Sequence, residues 1–105
     1  MAATRIAAVS TDGLNVDDHF GKAQRFLIYD LDDQLTFVEE RSTETLSVGD
    51  SEHAFDAAKF NRILSILKDC RKVYVTQIGE IPATKLKEAG IVPVVYSGAI
   101  AAVTV

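Results

Sequence analysis

Residues 25–41 read Arg-Phe-Leu-Ile-Tyr-Asp-Leu-Asp-Asp-Gln-Leu-Thr-Phe-Val-Glu-Glu-Arg. The first seven form a dense β-prone run whose apolar side chains point both ways, as in a strand covered on both faces. Asp32 and Asp33 make a tight connection. Over 35–41 the pattern alternates, with Leu35 and Phe37 on one face and Thr36, Val38 and Glu40 on the other. The two runs predict an antiparallel hairpin. Upstream, residues 5–10 (Arg-Ile-Ala-Ala-Val-Ser) predict a first strand, closed by the turn signal Thr11-Asp12-Gly13. Residues 14–24 have no clean period and read as a loop with one helical turn.

Downstream the period changes. From 53 to 69 the apolar residues Ala57, Phe60, Ile63, Leu64 and Leu67 recur at three and four, which predicts an amphipathic helix with Asp50 or Ser51 as its N-cap. Before it, residues 42–52 read as a surface loop. Residues 72–76 predict a short buried strand. Pro82 opens a second helix through Lys85, Leu86 and Glu88, and Gly90 closes it as a left-handed cap. Residues 91–96 predict another strand, and 98–105 begin a last helix. A leading antiparallel hairpin followed by right-handed βαβ units implies an α/β fold: a mixed five-stranded sheet with flanking helices. No repeat or linker divides residues 1–105, so one domain is expected. Ligands gather at the carboxyl ends of strands in such sheets. That makes the loops 10–24 and 77–82 the candidate site.

Composition removes several function classes. The chain has 105 residues, one cysteine and a net charge of −4. A single cysteine cannot form an internal disulfide or a four-thiolate metal site, and it fits a reducing cytoplasm. The acidic balance gives no broad basic footprint for nucleic acid. No apolar run approaches the roughly 20 residues that span a bilayer, and no signal segment opens the chain. There is no phosphate-binding glycine loop, G-x-S-x-G elbow or C-x-x-C pair. An enzyme is therefore the weaker expectation.

His19 stands in Val16-Asp-Asp-His-Phe-Gly21, past the end of the first strand. A loop histidine is commonly a solvated side chain. Here Gly21 permits close approach of a ligand, Phe20 can anchor the loop, and Asp17 or Asp18 can orient the imidazole, so a metal-ligand role is open. His53, at the predicted helix start, reads either as a polar residue near the cap or as a second imidazole over the sheet. Cys70 reads as a small buried hydrophobe, with a thiolate ligand as the alternative. Lys22, Arg25 and Arg62 are surface charges by default, and as a set they can offset an anionic ligand. Asp12 and Asp30 with Mg²⁺ are the residues of an alternative, a hydrolase or nuclease.

Val16-Asp-Asp-His-Phe-Gly-Lys-Ala-Gln-Arg-Phe-Leu-Ile-Tyr-Asp30 resembles the signature of the dinitrogenase iron–molybdenum cofactor biosynthesis family, which includes NifX- and NafY-like accessory proteins and the tail domain of NifB. Leu67-Lys-Asp-Cys70, Val75-Thr-Gln-Ile-Gly79 and Leu86-Lys-Glu-Ala-Gly-Ile-Val-Pro93 match in the same order. The H-F-G block is the specific part. The resemblance implies a ribonuclease-H-like three-layer sandwich. It also implies that the chain binds, carries or stores a preformed iron–sulfur or iron–molybdenum–sulfur cluster, held transiently during cofactor assembly, and is not an enzyme. The expected partners are other assembly proteins or an apo-acceptor, with neither nucleic acid nor membrane. The family's cluster-ligand histidine falls on His19. His53 is the candidate second ligand, Lys22 and Arg25 offset charge, and backbone N–H groups at Gly21 and Gly79 donate to sulfide. The radical-SAM part of NifB and the N-terminal helical domain of NafY-like proteins have no counterpart here, so cluster synthesis is not expected. A regulatory module without cluster binding, using a sheet edge, is a further alternative.

Overall fold

The structure is a computed structural model that describes residues 3–45 and 57–103. Strands β1 (Thr4–Val9), β3 (Arg25–Leu31), β4 (Leu35–Ser42), β5 (Lys72–Val75) and β6 (Val92–Val95) form one sheet in the order β4-β3-β1-β5-β6. A two-stranded ribbon joins β2 (Asn15–Val16) to β7 (Gly98–Ala99). The helices are α1 (Ala57–Leu67) and α2 (Glu80–Glu88). β3 is antiparallel to β1 and β4, whereas β1, β5 and β6 are parallel. The mixed five-stranded sheet is therefore as expected, and the carboxyl ends of β1, β5 and β6 share one edge.

Strand alternation divides the core between two faces. Ala7, Val9, Phe26, Ile28, Val73 and Val75 meet Phe60, Ile63 and Leu67 of α1 and Leu86 of α2. Ile6, Ala8, Leu27, Leu31 and Tyr74 meet Val16, Ile100 and Val103 on the opposite face. The double-sided pattern of β3 is thus explained, because both its faces are buried. Among the described residues both helices lie on the first face. The other face is covered by the ribbon and a 3-10 turn at Ile100–Ala102. This corrects the expected final helix, and with it the expected helical layer on that side. Gly98 and Ala99 pair with Val16 and Asn15, a contact between distant segments that no local periodicity signals. Gly90 (φ +84) closes α2 in the left-handed conformation, as its position predicted. The expected start of the long helix, with Asp50, Ser51 and His53, lies outside the described residues.

The period-two reading of β4 also needs correction. Phe37 pairs with Tyr29 and Glu39 with Ile28, so Val38 is an extra residue and the register shifts there. Glu40 then falls on the side of Leu35 and Phe37, opposite Leu27, while Arg41 falls on the helical side, opposite Phe26. Arg41 uses that placement to donate to the Ile66 carbonyl at the end of α1 (2.7 Å) and to both oxygens of Asp69 (2.7 and 2.9 Å). Arg5 joins Asp69 (3.1 Å) to Asp30 (3.0 Å). Hydrogen bonds from Arg41 hold the Asp69 carboxyl well below the usual carboxylate range, and those from Arg5 lower Asp30. Both lie below the unfolded value of about 3.9. Their stabilisation is therefore complete above that pH and is lost as the pH falls through the lower folded-state values. Asp69→Asn should cost about 1–2 kcal/mol at neutral pH, between an exposed pair and a charge-assisted bond. It should also flatten the loss of stability below about pH 4, where the wild-type carboxylate begins to protonate. Urea unfolding at pH 7 and in acid checks both.

Candidate functional site at the carboxyl edge of the sheet

The chain leaves β1 at Ser10 and folds back at once. Asp12 accepts from the backbone N–H of Leu14 (2.8 Å) and Asn15 (2.9 Å) and from the Asn15 amide (2.9 Å). These donors hold the Asp12 carboxyl below its ordinary range, the Asn15 side chain most of all. Gly13 supplies the positive φ (+80) that the turn requires. Asp17 accepts from the Thr11 N–H (2.8 Å) and hydroxyl (2.6 Å). Val16 is buried in the ribbon-side core and Phe20 in the helix-side core. Between these two anchors the chain must pass over the rim of the sheet, and Asp17, Asp18 and His19 make that passage.

Two backbone hydrogen bonds fasten the passage to the end of β5. The Thr76 N–H donates to the Asp18 carbonyl (3.0 Å), and the Phe20 N–H donates to the Gln77 carbonyl (2.9 Å). The two loops expected to meet therefore do meet, with His19 between the bonded residues. The Phe20 ring packs 6.1 Å from Phe26 and 6.3 Å from Phe60. Asp18 accepts from the His19 backbone N–H (2.8 Å), and the His19 carbonyl accepts from Lys22 N–H (3.1 Å) in the 3-10 turn Phe20–Lys22. The last two bonds use the His19 backbone and none uses its ring. The half-buried imidazole has no hydrogen bond or ion pair among the described residues. Gly21 lies in the same turn, and Lys22 is exposed without an ion pair among the described residues. Gly79 is the N-cap of α2, on the same edge. Pro82 sits in the first turn, where its missing N–H leaves nothing unsatisfied.

The other expected site residues lie elsewhere or are differently engaged. Arg25 donates to the carbonyls of Ser10 (3.2 Å) and Thr11 (2.8 Å) and to Glu40 (3.3 Å). Arg62 pairs with Glu44 (2.7 Å). Cys70 is buried at the opposite edge, beside the start of β5, and burial pushes its thiol up to about 12, as suits the apolar reading. His53 lies outside the described residues. Asp30 pairs with Arg5 at the amino end of β1, and Asp12 belongs to the turn past its other end. A strand of that length separates them by roughly 16 Å or more, so the two do not form a metal-binding carboxylate pair. No group of three metal-ligating side chains occurs among the described residues. Sequence reasoning placed Thr11 in a turn signal but missed its two bonds to Asp17, and it missed Asn15, whose amide closes the turn on Asp12.

The family model described as dinitrogenase iron-molybdenum cofactor matches residues 2–104. The FeMo cofactor biosynthesis protein NifB of Klebsiella pneumoniae is 39% identical over 93 residues, covering 86% of this chain and 20% of that protein. NifB of Frankia alni is 37% identical over 91 residues, covering 85% of this chain and 18% of that protein. The chain thus spans about a fifth of the length of these curated relatives. The crystal structure of PH0822 superposes with a TM-score of 0.61 at 21% identity, over 87% of this chain and 77% of that one, a likeness of fold. The solution structure of the Thermotoga protein TM1290, described as a candidate NifB protein, gives 0.58 at 25% identity over 95% and 81%.

Proposed function

The chain belongs to the dinitrogenase iron–molybdenum cofactor family, and on that premise we propose that it binds and carries a preformed iron–sulfur or iron–molybdenum–sulfur cluster during cofactor assembly. The observation that carries this reading is His19: a backbone held at four points around an imidazole that bonds to nothing among the described residues. A protein that built a cluster's whole ligand shell would need several thiolates, and the one cysteine is buried at the other edge. A preformed cluster brings its own sulfides and needs only one or two exchangeable protein ligands. His19 supplies one through a neutral ring nitrogen, with His53 as the candidate second. Gly21 and Gly79 offer backbone N–H groups to sulfide, and Lys22 offsets negative charge. Ligation by so few groups suits release to an assembly partner or an apo-acceptor.

The role is that of a carrier and not of an enzyme, within the cytoplasm. The relatives' names as cofactor biosynthesis proteins support an accessory part in that process. No helix among the described residues is long and apolar enough to cross a membrane. The mixed strand order supports the ribonuclease-H-like class, but the separation of Asp12 from Asp30 weighs against the hydrolase or nuclease that such a fold can host. The sheet edges weigh against strand addition. Pro93 takes an outward-facing position on β6, since Val92 and Tyr96 donate inward to Arg71 and Val75. The shift at Val38 twists β4. The test is anaerobic incubation of metal-free protein with a synthetic tetranuclear iron–sulfur cluster bearing exchangeable thiolates, then gel filtration and iron analysis. Iron should elute with the protein near one cluster per chain. Elution of all iron apart from the protein would refute the reading.

A further inference from the structure

We infer that Arg25 and Asp17 are positioning residues for the His19 ligand site, and that the Arg25 charge is not the counter-charge for the cargo; this rests on the cluster reading above. Arg25 opens β3, directly beside the end of β1, where Val9 pairs with Phe26. Its Nε donates to the Ser10 carbonyl and its Nη2 to the Thr11 carbonyl, while Nη1 takes Glu40. Two of the three guanidinium nitrogens are therefore occupied by the backbone of the first two loop residues, and a carboxylate on the third already balances the charge. A guanidinium can hold two adjacent carbonyls at once because its donors are fixed in one plane; an ammonium is a single point.

The constraint passes on through Thr11. With its carbonyl held by Arg25, Thr11 gives its N–H and hydroxyl to the two oxygens of Asp17. Asp17 also donates its own N–H to the Val9 carbonyl (3.3 Å). The next residue, Asp18, is bonded to Thr76, and the one after His19 to Gln77. His19 is thus bracketed, tied to β1 through Asp17, Thr11 and Arg25 and to β5 through its two neighbours. The second tie is built of backbone alone. The first adds to the single Asp17–Val9 backbone bond the side chains of Arg25, Thr11 and Asp17, and of these Arg25 and Asp17 carry the charges that a substitution can test.

Charge and position make opposite predictions. Arg25→Lys keeps the charge and loses the fork. Asp17→Asn removes a negative charge near an anionic cargo and weakens the bonds to Thr11. If charge governed, the first variant would bind like wild type and the second at least as tightly. If position governs, both bind the synthetic tetranuclear cluster about tenfold more weakly, the scale of one or two lost hydrogen bonds. Amide exchange in the cargo-free protein gives the independent readout. The Phe20 and Thr76 amides should exchange about tenfold faster in both variants, while Arg71 and Val92, whose N–H groups bond to Arg5 and Arg71 at the far edge, keep their rates, as local opening requires. Wild-type exchange at Phe20 and Thr76, or equal acceleration at all four amides, overturns the inference. So does wild-type uptake by Arg25→Lys. Should His19→Ala bind the probe as wild type does, the cargo reading fails by itself, and the exchange arm alone then decides the positioning role.

Discussion

His19→Ala should abolish uptake of the cluster while leaving the fold intact. Uptake of the synthetic cluster should fall by more than about 100-fold, beyond the 10–100-fold typical of losing an outer-shell partner, because a ligand itself is removed. Stability should change by no more than about 0.5 kcal/mol, the usual span for a side chain without structural bonds. That separation follows from the loop's construction. The bonds around His19 run through the Asp18 carbonyl, the Phe20 N–H and the His19 backbone, so alanine preserves them. Anaerobic absorbance titration reads the first effect and urea unfolding the second. Unchanged uptake would remove His19 from the ligand set, and a large loss of stability would show the imidazole to be a packing group instead.

Phe20→Ala should produce the largest change in stability, a loss of about 3–5 kcal/mol, as for other fully buried aromatic rings. That is a large part of the roughly 5–15 kcal/mol that holds a domain of ordinary stability together. The ring is 1% exposed and meets Phe26 and Phe60, so truncation leaves a cavity between β3 and α1. It also frees the passage over the rim, whose one helix-side anchor is this residue, and uptake should fall in whatever protein remains folded. Phe20→Leu keeps much of the volume and should retain both fold and uptake better. Equilibrium unfolding of the two variants is the measurement. A loss below about 1 kcal/mol for the alanine variant, well under the range for such a cavity, would mean that the loop is not held by this ring.

The two effects explain which features could be read in advance. β1, β3, β5 and α2 were legible because periodicity records burial, and these elements bury one or both faces in the two cores. The Gly13 turn and the Gly90 cap were legible because only glycine takes those dihedrals at no cost. The H-F-G block marked the loop for a candidate site, since its residue types together suggest an anchored ligand. Three things were not legible. Val38 looks like any alternating residue, and only pairing against β3 makes it a bulge. The 98–103 segment has helix-forming alanines, yet Gly98 and Ala99 pair with a loop more than eighty positions earlier. Arg25 looks like a free cation, and only its placement beside the end of β1 gives its fork two carbonyls to hold.

From its order of residues alone this chain determines a mixed α/β sheet, one buried cysteine and a histidine set beside a buried phenylalanine. Those depend on local dihedral preference and on hydrophobic periodicity, which act over a few residues. The tertiary structure decides where that histidine stands. Val16 enters one core and Phe20 the other, so the three residues between them must cross the rim, and β5 supplies the backbone groups that hold them there. A site formed by closing a loop against a strand more than fifty positions away exists only once the sheet has assembled.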